Sequence, residues 1–219
     1  MKTFTHHPDN STVLAYGAGA LGEGFSLVLA AHMETCTRCR SRLAEAETLG
    51  GELLSELQPV QMESSDLSGF WDRVETMPPV EPVEKVEKPR TQGVPAVLSP
   101  YLDGDLDTID WRNLVPGVRQ HVIEGIDSGN GSVRLLSIAP GTTIPHHTHD
   151  GSELTLVLRG AYTDEIGHFQ PGDLADLDPS VHHQPVADGK EPCICLIATD
   201  ERLRFSGFLS RVIQPLIGI

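Results

Sequence analysis

Residues 77–95, "MPPVEPVEKVEKPRTQGVP", limit the fold more than any other stretch, because their five prolines deny them both a helix interior and a central strand. Glu, Lys and Val fill the spaces between without a period that would bury one face, so the stretch reads as an extended, acidic linker. At 219 residues the chain is long for one compact core and suits one small plus one medium domain. The division that follows is 1–77, a Pro/Glu-rich linker over 78–96, and 97–219.

The period differs on the two sides. Before the linker it is helical: Asn10 or Ser11 caps a segment with Val13, Leu14 and Ala18, and Phe25, Val28, Leu29 and His32 recur at i, i+3, i+4 and i+7. Leu43, Ala46, Leu53, Leu54 and Leu57 continue the pattern, with Gly50 and Gly51 expected as a break. A short fourth helix follows, capped by Ser64, Ser65 or Asp66 and striped with Leu67, Phe70, Trp71 and Val74. About four helices make this a small bundle.

After the linker, "SVRLLSIAPG", "SELTLVLRGAYTDE", "GHFQPGDLADLD", "HHQPVADG" and "PCICLIATD" alternate apolar with polar residues and are separated by turn residues. That is an all-β sandwich or barrel. The tail "RFSGFLSRVIQPLIGI" aligns Phe205, Phe208, Leu209, Val212, Ile213 and Leu216 at helical spacing, which predicts a short amphipathic helix capping the β domain.

The formal charge of -15 makes nucleic acid and anionic membranes poor partners and a basic protein surface a good one. Positions 1–95 hold 14 acidic against 8 basic residues, with no basic recognition helix for DNA. The N-terminus "MKTFTHHPDNS" has no apolar signal region, and no run of eighteen apolar residues occurs, so a cytoplasmic address is expected. In that reducing compartment four cysteines are better explained as metal ligands or buried side chains than as disulfides.

Two constellations carry the chemistry. In "AAHMETCTRC", His32, Cys36 and Cys39 share one side of a continuous helix and would converge on one ion. Thiolate and imidazole select zinc, whose tetrahedral shell needs a fourth ligand; His6 and His7 are the nearest candidates. A thioredoxin-like redox pair would sit beside a βαβ pattern, and none is visible. A His2Cys2 shell leaves no open position, so the role is structural, stabilising a domain too small for a large core.

The second constellation spaces Gly141, His147, His149, Glu153 and Gly160 along a strand, a turn and a second strand. His147 and His149 face one side of their strand, and a turn at "DGS" brings Glu153 back beside them. Neighbouring strand residues face opposite ways, so only one of His182 and His183 completes a His3Glu site, and His183 is the choice. Such a shell holds Zn, Mn, Fe or Ni.

The stretch from Gly141 to Gly160 resembles the first motif of the cupins, jelly-roll (double-stranded β-helix) barrels whose metal is held by two His, one Glu and a further His. The second cupin motif is met in part: Gly172 and the late His are present, and the Pro-x-Gly before that His is not. With the helical half, through "HHPDNSTVLAYGAGAL", "FSLVLAAH", "CTRCRSRLAEAETLGG", "HHQPVA" and the closing "QPL", nearly the whole chain resembles the ChrR family of zinc-binding anti-sigma factors.

That resemblance implies an N-terminal zinc domain that sequesters an extracytoplasmic-function sigma factor, with ligands His7, His32, Cys36 and Cys39. It implies a cupin domain that binds zinc through His147, His149, Glu153 and His183 and permits release under singlet oxygen or a related oxidant, thereby regulating transcription. No catalytic turnover is expected; the alternative is a metal-dependent cupin dioxygenase or isomerase with a zinc-stabilised helical appendage. Leu67, Phe70, Trp71 and Val74 either contact the sigma factor, their aromatic content being typical of interface anchors, or pack on the protein's own helices, as apolar spacing alone equally allows. Cys193 and Cys195 alternate along a strand toward the barrel interior, where packed core thiols are favoured over an oxidant sensor. Zinc has no redox chemistry, so an oxidant must change a ligand, a nearby side chain or the occupancy of the site.

Overall fold

A computed structural model describes residues 4–60, 68–78, 93–127, 129–201 and 203–205. Leu67, most of the linker and the tail beyond Phe205 lie outside the described residues, and Phe205, expected in the tail helix, instead ends a strand. Four helices are described: α1 (Asn10–Gly17), α2 (Glu23–Met33), α3 (Thr37–Glu56) and α4 (Ser68–Thr76). A 3-10 segment, Ala96–Tyr101, opens the second half. Eleven strands follow: β1 (Arg112–Val115), β2 (Val118–Val122), β3 (Ser132–Ile138), β4 (His147–His149), β5 (Glu153–Arg159), β6 (Ala161–Thr163), β7 (His168–Phe169), β8 (Leu174–Leu177), β9 (Val186–Asp188), β10 (Cys193–Thr199) and β11 (Leu203–Phe205).

The larger sheet has the order β1-β2-β3-β10-β5-β8, accompanied by β7-β6-β9 and the pair β4-β11, with every pairing antiparallel. The result is an antiparallel β-sandwich in which β10 fills the gap between β3 and β5. Gly160 ends β5 at φ +68 and allows the turn into β6; a side chain there would meet the Pro192 carbonyl.

Strand alternation gives β10 two different faces. Ile194, Leu196 and Ala198 point outward into a cluster with Val28 and Leu29 of α2, Leu98 and Leu102, and Leu135 of β3. Cys193 and Cys195 point inward with Val157, Tyr162, Phe169 and Leu177. The outer face of the large sheet is therefore roofed by α2, and the helical half shares one buried cluster with the strands. The link is also polar: the Glu34 carboxylate just past α2 accepts the backbone N–H groups of Ala96 (2.8 Å) and Val97 (2.7 Å), fixing where the chain re-enters after the linker.

Three local expectations are corrected. Asp9, not Asn10 or Ser11, stands at the N-cap of α1, with its backbone N–H donating to Asp176. Gly50 and Gly51 do not break α3, which runs through both; they face open space, and the Ala, Glu and Leu residues around them are strong helix formers. His32, Cys36 and Cys39 do not share a continuous helix either. α2 stops at Met33, and Cys36, extended at φ -90 and ψ 99, is the N-cap of α3, its sulfur accepting the Cys39 N–H at 3.4 Å. Among the described residues no helix is long and apolar enough to cross a membrane.

Candidate metal centres

The break between α2 and α3 builds the first centre. His32 closes the last turn of α2, Cys36 caps α3, Cys39 lies one turn in, and His7 arrives on the extended segment before α1. His7 Nδ1 lies 3.4 Å from Cys36 Sγ and 3.3 Å from Cys39 Sγ, and His32 Nε2 lies 3.3 Å from Cys39 Sγ. All four ligand atoms fall within 4.8 Å of one another. Zinc–sulfur and zinc–nitrogen bonds at tetrahedral angles imply S···N edges of about 3.5 Å, so the spacing suits such an ion. This His2Cys2 group could hold a metal. His6 is not in it; its ring stacks on Phe169 at 4.1 Å.

Burial prepares these groups for a cation. His32 is fully buried, and desolvation lowers its pKa to about 4 against the opposing effect of its bond to the Gly172 carbonyl. His7 is lowered as well, by burial and then by Arg38. Both imidazoles are therefore neutral at pH 7, with lone pairs available. The Cys39 thiol is pushed up to about 11, first by burial and then by its interaction with Cys36, so without a cation to stabilise it the thiolate is disfavoured.

The outer partners fix the donors. His32 Nδ1–H donates to the Gly172 carbonyl at 2.9 Å, which leaves Nε2 bare toward the sulfurs. Arg42 donates to the Pro8 carbonyl at 2.9 Å and to Cys39 Sγ at 3.9 Å, bracing the His7 segment against α3.

The depressed His32 pKa has a testable consequence for the metal-free protein. Between its unfolded value near 6.5 and about 4, the unfolded chain binds a proton that the folded chain refuses, so stability falls as pH falls through this window. About 2 kcal/mol should be lost by pH 5. Urea midpoints measured after chelation should decline between pH 7 and 5; a constant midpoint would contradict the assignment.

At the second constellation, β4 and the stretch before β9 face each other, and His147 and His183 exchange both backbone hydrogen bonds at 3.3 Å. Their side chains are buried, with Nε2 atoms 3.0 Å apart. His147 Nδ1 lies 2.8 Å from the Pro145 carbonyl, which can only accept, and His183 Nδ1 lies 2.9 Å from the Asp164 carboxylate. With each Nδ1 turned to an oxygen acceptor, the two rings direct their Nε2 atoms toward one point. Metal–nitrogen bonds near 2.1 Å give N···N separations of about 3.0–3.4 Å, a spacing that the two Nε2 atoms match.

Asp164 is the residue that sequence reasoning missed. It is fully enclosed, and burial alone would raise its pKa, but the His183 bond and the N–H groups of Ile166 and Gly167 hold it below the ordinary carboxylate value. It remains an anion that fixes the His183 tautomer. Its only trace in the sequence is an acid at the end of a strand, which is no signal by itself.

Glu153 is buried at the start of β5 and accepts from Thr155 Oγ1 at 2.8 Å. His149 lies in β4, its backbone paired with Leu203, and its side chain is outside the described part of the structure. His182 is exposed beside the buried His183. Among the described side chains, only the His2Cys2 group brings three or more candidate ligands together, and the barrel contributes the His147–His183 pair. Arg134 is buried on β3 and held by Gln120 at 2.8 Å; burial lowers its pKa to about 10, against the favourable charge of Glu153, and it stays a cation.

Cys193 and Cys195 are buried with sulfurs 3.6 Å apart. The Cys195 pKa is pushed well above the ordinary value, first by its Cys193 partner and then by burial, which suppresses thiolate reactivity. Phe70, Trp71 and Val74 of α4 are exposed, the two rings packed edge to face at 5.3 Å.

A His2Cys2 group that could hold a metal lies in the helical layer, and a histidine pair lies inside the β-sandwich; together they define a helical layer packed on a cupin-like sandwich. The model of the ChrR cupin-like domain matches residues 103–201. The anti-sigma-E factor ChrR of Cereibacter sphaeroides is 38% identical over 217 residues, covering 99% of this chain and all of that one. The crystal structure of Rhodobacter sphaeroides SigE in complex with the anti-sigma ChrR aligns with a TM-score of 0.73 at 36% identity, over 90% of this chain and 100% of the matched chain. The chain belongs to the ChrR family of anti-sigma factors, and its β half is a cupin.

Proposed function

We propose that this chain is a cytoplasmic anti-sigma factor that sequesters an extracytoplasmic-function sigma factor and releases it when singlet oxygen or a related oxidant acts on the metal-binding cupin. The observation that carries the reading is the full-length kinship with a protein solved in complex with its sigma factor. Residues 1–77 form the sigma-binding part, 78–96 the linker, and 97–219 the sensing part. Zinc occupies His7, His32, Cys36 and Cys39. A second metal, zinc in preference to iron, manganese or nickel, is held by His147, His149, Glu153 and His183. The function is binding and release, without turnover.

Exposed apolar surface supports a protein partner. Leu53 and Leu54 in the outer half of α3, Leu57 just past its end, and Phe70, Trp71, Val74 and Met77 on or just after α4 are all exposed, which is costly in water unless a partner covers them. Leu67 belongs to the same proposed stripe but lies outside the described residues. The net charge of -15 complements the basic surface that a sigma factor presents to nucleic acid and speeds its capture.

Co-expression with the candidate sigma factor should yield a 1:1 complex containing about two metal ions per chain. No complex, with iron or manganese confined to the cupin, would overturn the reading. Trp71→Ala should weaken the complex by about 30-fold or more, the loss typical of an aromatic anchor, while leaving the free protein folded. Isothermal titration gives the answer, and unchanged affinity removes α4 from the interface.

A further inference from the structure

The two centres are usually separate problems in a two-domain chain, yet here one turn of the cupin reaches both. At one end of that turn, Asp164 Oδ2 accepts the His183 Nδ1–H at 2.9 Å, while its Oδ1 accepts the N–H groups of Ile166 (2.9 Å) and Gly167 (3.1 Å). At the other end, the Gly172 carbonyl accepts the His32 Nδ1–H at 2.9 Å. Asp173, 2% exposed, accepts the backbone N–H groups of Thr5 (2.7 Å) and His6 (3.0 Å) through Oδ1 and that of Gln170 (3.0 Å) through Oδ2. The Leu174 N–H then donates to the His6 carbonyl at 3.2 Å.

His6 fills the space between these ends. Its ring stacks on Phe169, which in turn stacks on Tyr162 at 4.7 Å inside the barrel. Gly167 lies directly against it, since a Cβ at that glycine would stand 3.0 Å from His6 Cε1. Gly172 sits at φ +100 against the Phe4 ring, where a side chain would collide at 2.0 Å. The chain segment carrying His7 is thus clamped on the cupin turn by three backbone hydrogen bonds and two rings immediately before it enters the His2Cys2 group.

We propose that the turn Asp164–Leu174 is a shared support for both centres, with Asp173 and His6 as positioning residues for the N-terminal ligands, so that a change at the His147–His183 centre alters metal affinity at the helical one. This rests on the reading that both centres bind metal. Coupling of this kind is reciprocal: filling either site shifts the other by the same factor. It gives the sensing half a direct route to the sigma-binding half through packed groups and not through the linker.

The test is titration of the full-length, metal-stripped chain with Co2+, competed by Zn2+. Thiolate-to-cobalt charge transfer arises only where cysteine is a ligand, so the helical centre is read without interference from the His/Glu centre. Asp173→Ala should weaken Co2+ binding there by about 10–100-fold, the loss expected for an outer-shell partner, and Asp173→Asn should recover part of it by keeping one acceptor oxygen. His6→Ala should weaken it in the same direction. Asp164→Asn, at the far end of the turn, should change the same affinity by about 5-fold or more.

Asp176→Asn separates positioning from adhesion. Asp176 also joins the halves, accepting Asp9 N–H at 2.9 Å and Thr12 Oγ1–H at 2.6 Å, but it touches no candidate ligand. It should leave Co2+ affinity unchanged. Equal losses in Asp176→Asn and Asp173→Ala, or affinities in folded Asp164→Asn and Asp173→Asn equal to wild type, would overturn the proposal. A wild-type chain that shows no charge-transfer band removes the metal reading itself, and the coupling with it.

Discussion

Replacing both Cys36 and Cys39 with serine should remove one metal ion per chain and abolish the sigma complex, the largest loss expected of any paired substitution. Structural zinc at such a site contributes about 10–16 kcal/mol, comparable to the about 5–15 kcal/mol stability of a whole ordinary domain. Here the ion would join three elements at one point: the His7 segment, the end of α2 and the start of α3. Among the residues of α3 only Cys39 is fully buried, and apart from half-buried Leu43 and Ala46 packed beside α1 the helix has little apolar contact to retain its direction without the ion. The cupin core should survive, because α2 keeps Val28 and Leu29 in the cluster with Leu135 and Leu196. Metal analysis with a sigma pull-down and a thermal melt reads all three consequences. A metal-free double variant that still binds sigma at wild-type affinity would sink the structural role.

Much of this fold could be read in the sequence because each half keeps one period. Val28, Leu29 and His32 mark the buried face of α2 at helical spacing, and the alternation of "CICLIAT" marks two faces of β10. β1 and β2 escaped for different reasons: β1 is a mostly exposed edge strand, and β2 buries the polar Gln120 beside Val118, so "VRQHV" shows no apolar alternation. Gly50 and Gly51 misled because a glycine pair interrupts helices on average, whereas the helix formers on either side decide the matter here.

The sites divide in the same way. His32, Cys36 and Cys39 were legible from spacing, but the helix break that aims them was not, since an N-cap thiol has no distinct sequence signal. His7 over His6 depended on which ring faces α3 and which faces Phe169, a matter of tertiary placement. Asp173 and the Gly172 carbonyl meet the helical half across 140 or more residues, and Asp164 meets His183 across 19, so none of these partners leaves a local pattern.

The second large effect begins in the cupin. His183→Ala removes one of two rings whose Nε2 atoms lie 3.0 Å apart and leaves Asp164 buried without its imidazole partner. Loss of a ligand and its oriented tautomer together should reduce metal retention at that centre by well over about 100-fold, beyond the outer-shell range. Sigma binding should persist in metal-replete buffer, because the His2Cys2 ligands and the exposed faces of α3 and α4 are all retained. What should vanish is the response: purified complex exposed to a singlet-oxygen generator should dissociate for wild type and stay intact for His183→Ala. If the variant releases sigma as fast as wild type, sensing does not pass through this centre. If it releases sigma before any oxidant is added, the metal-bound cupin is required for holding, and the oxidant acts by emptying it. The two results differ in the sign of the coupling, and a dissociation rate measured with and without light decides between them.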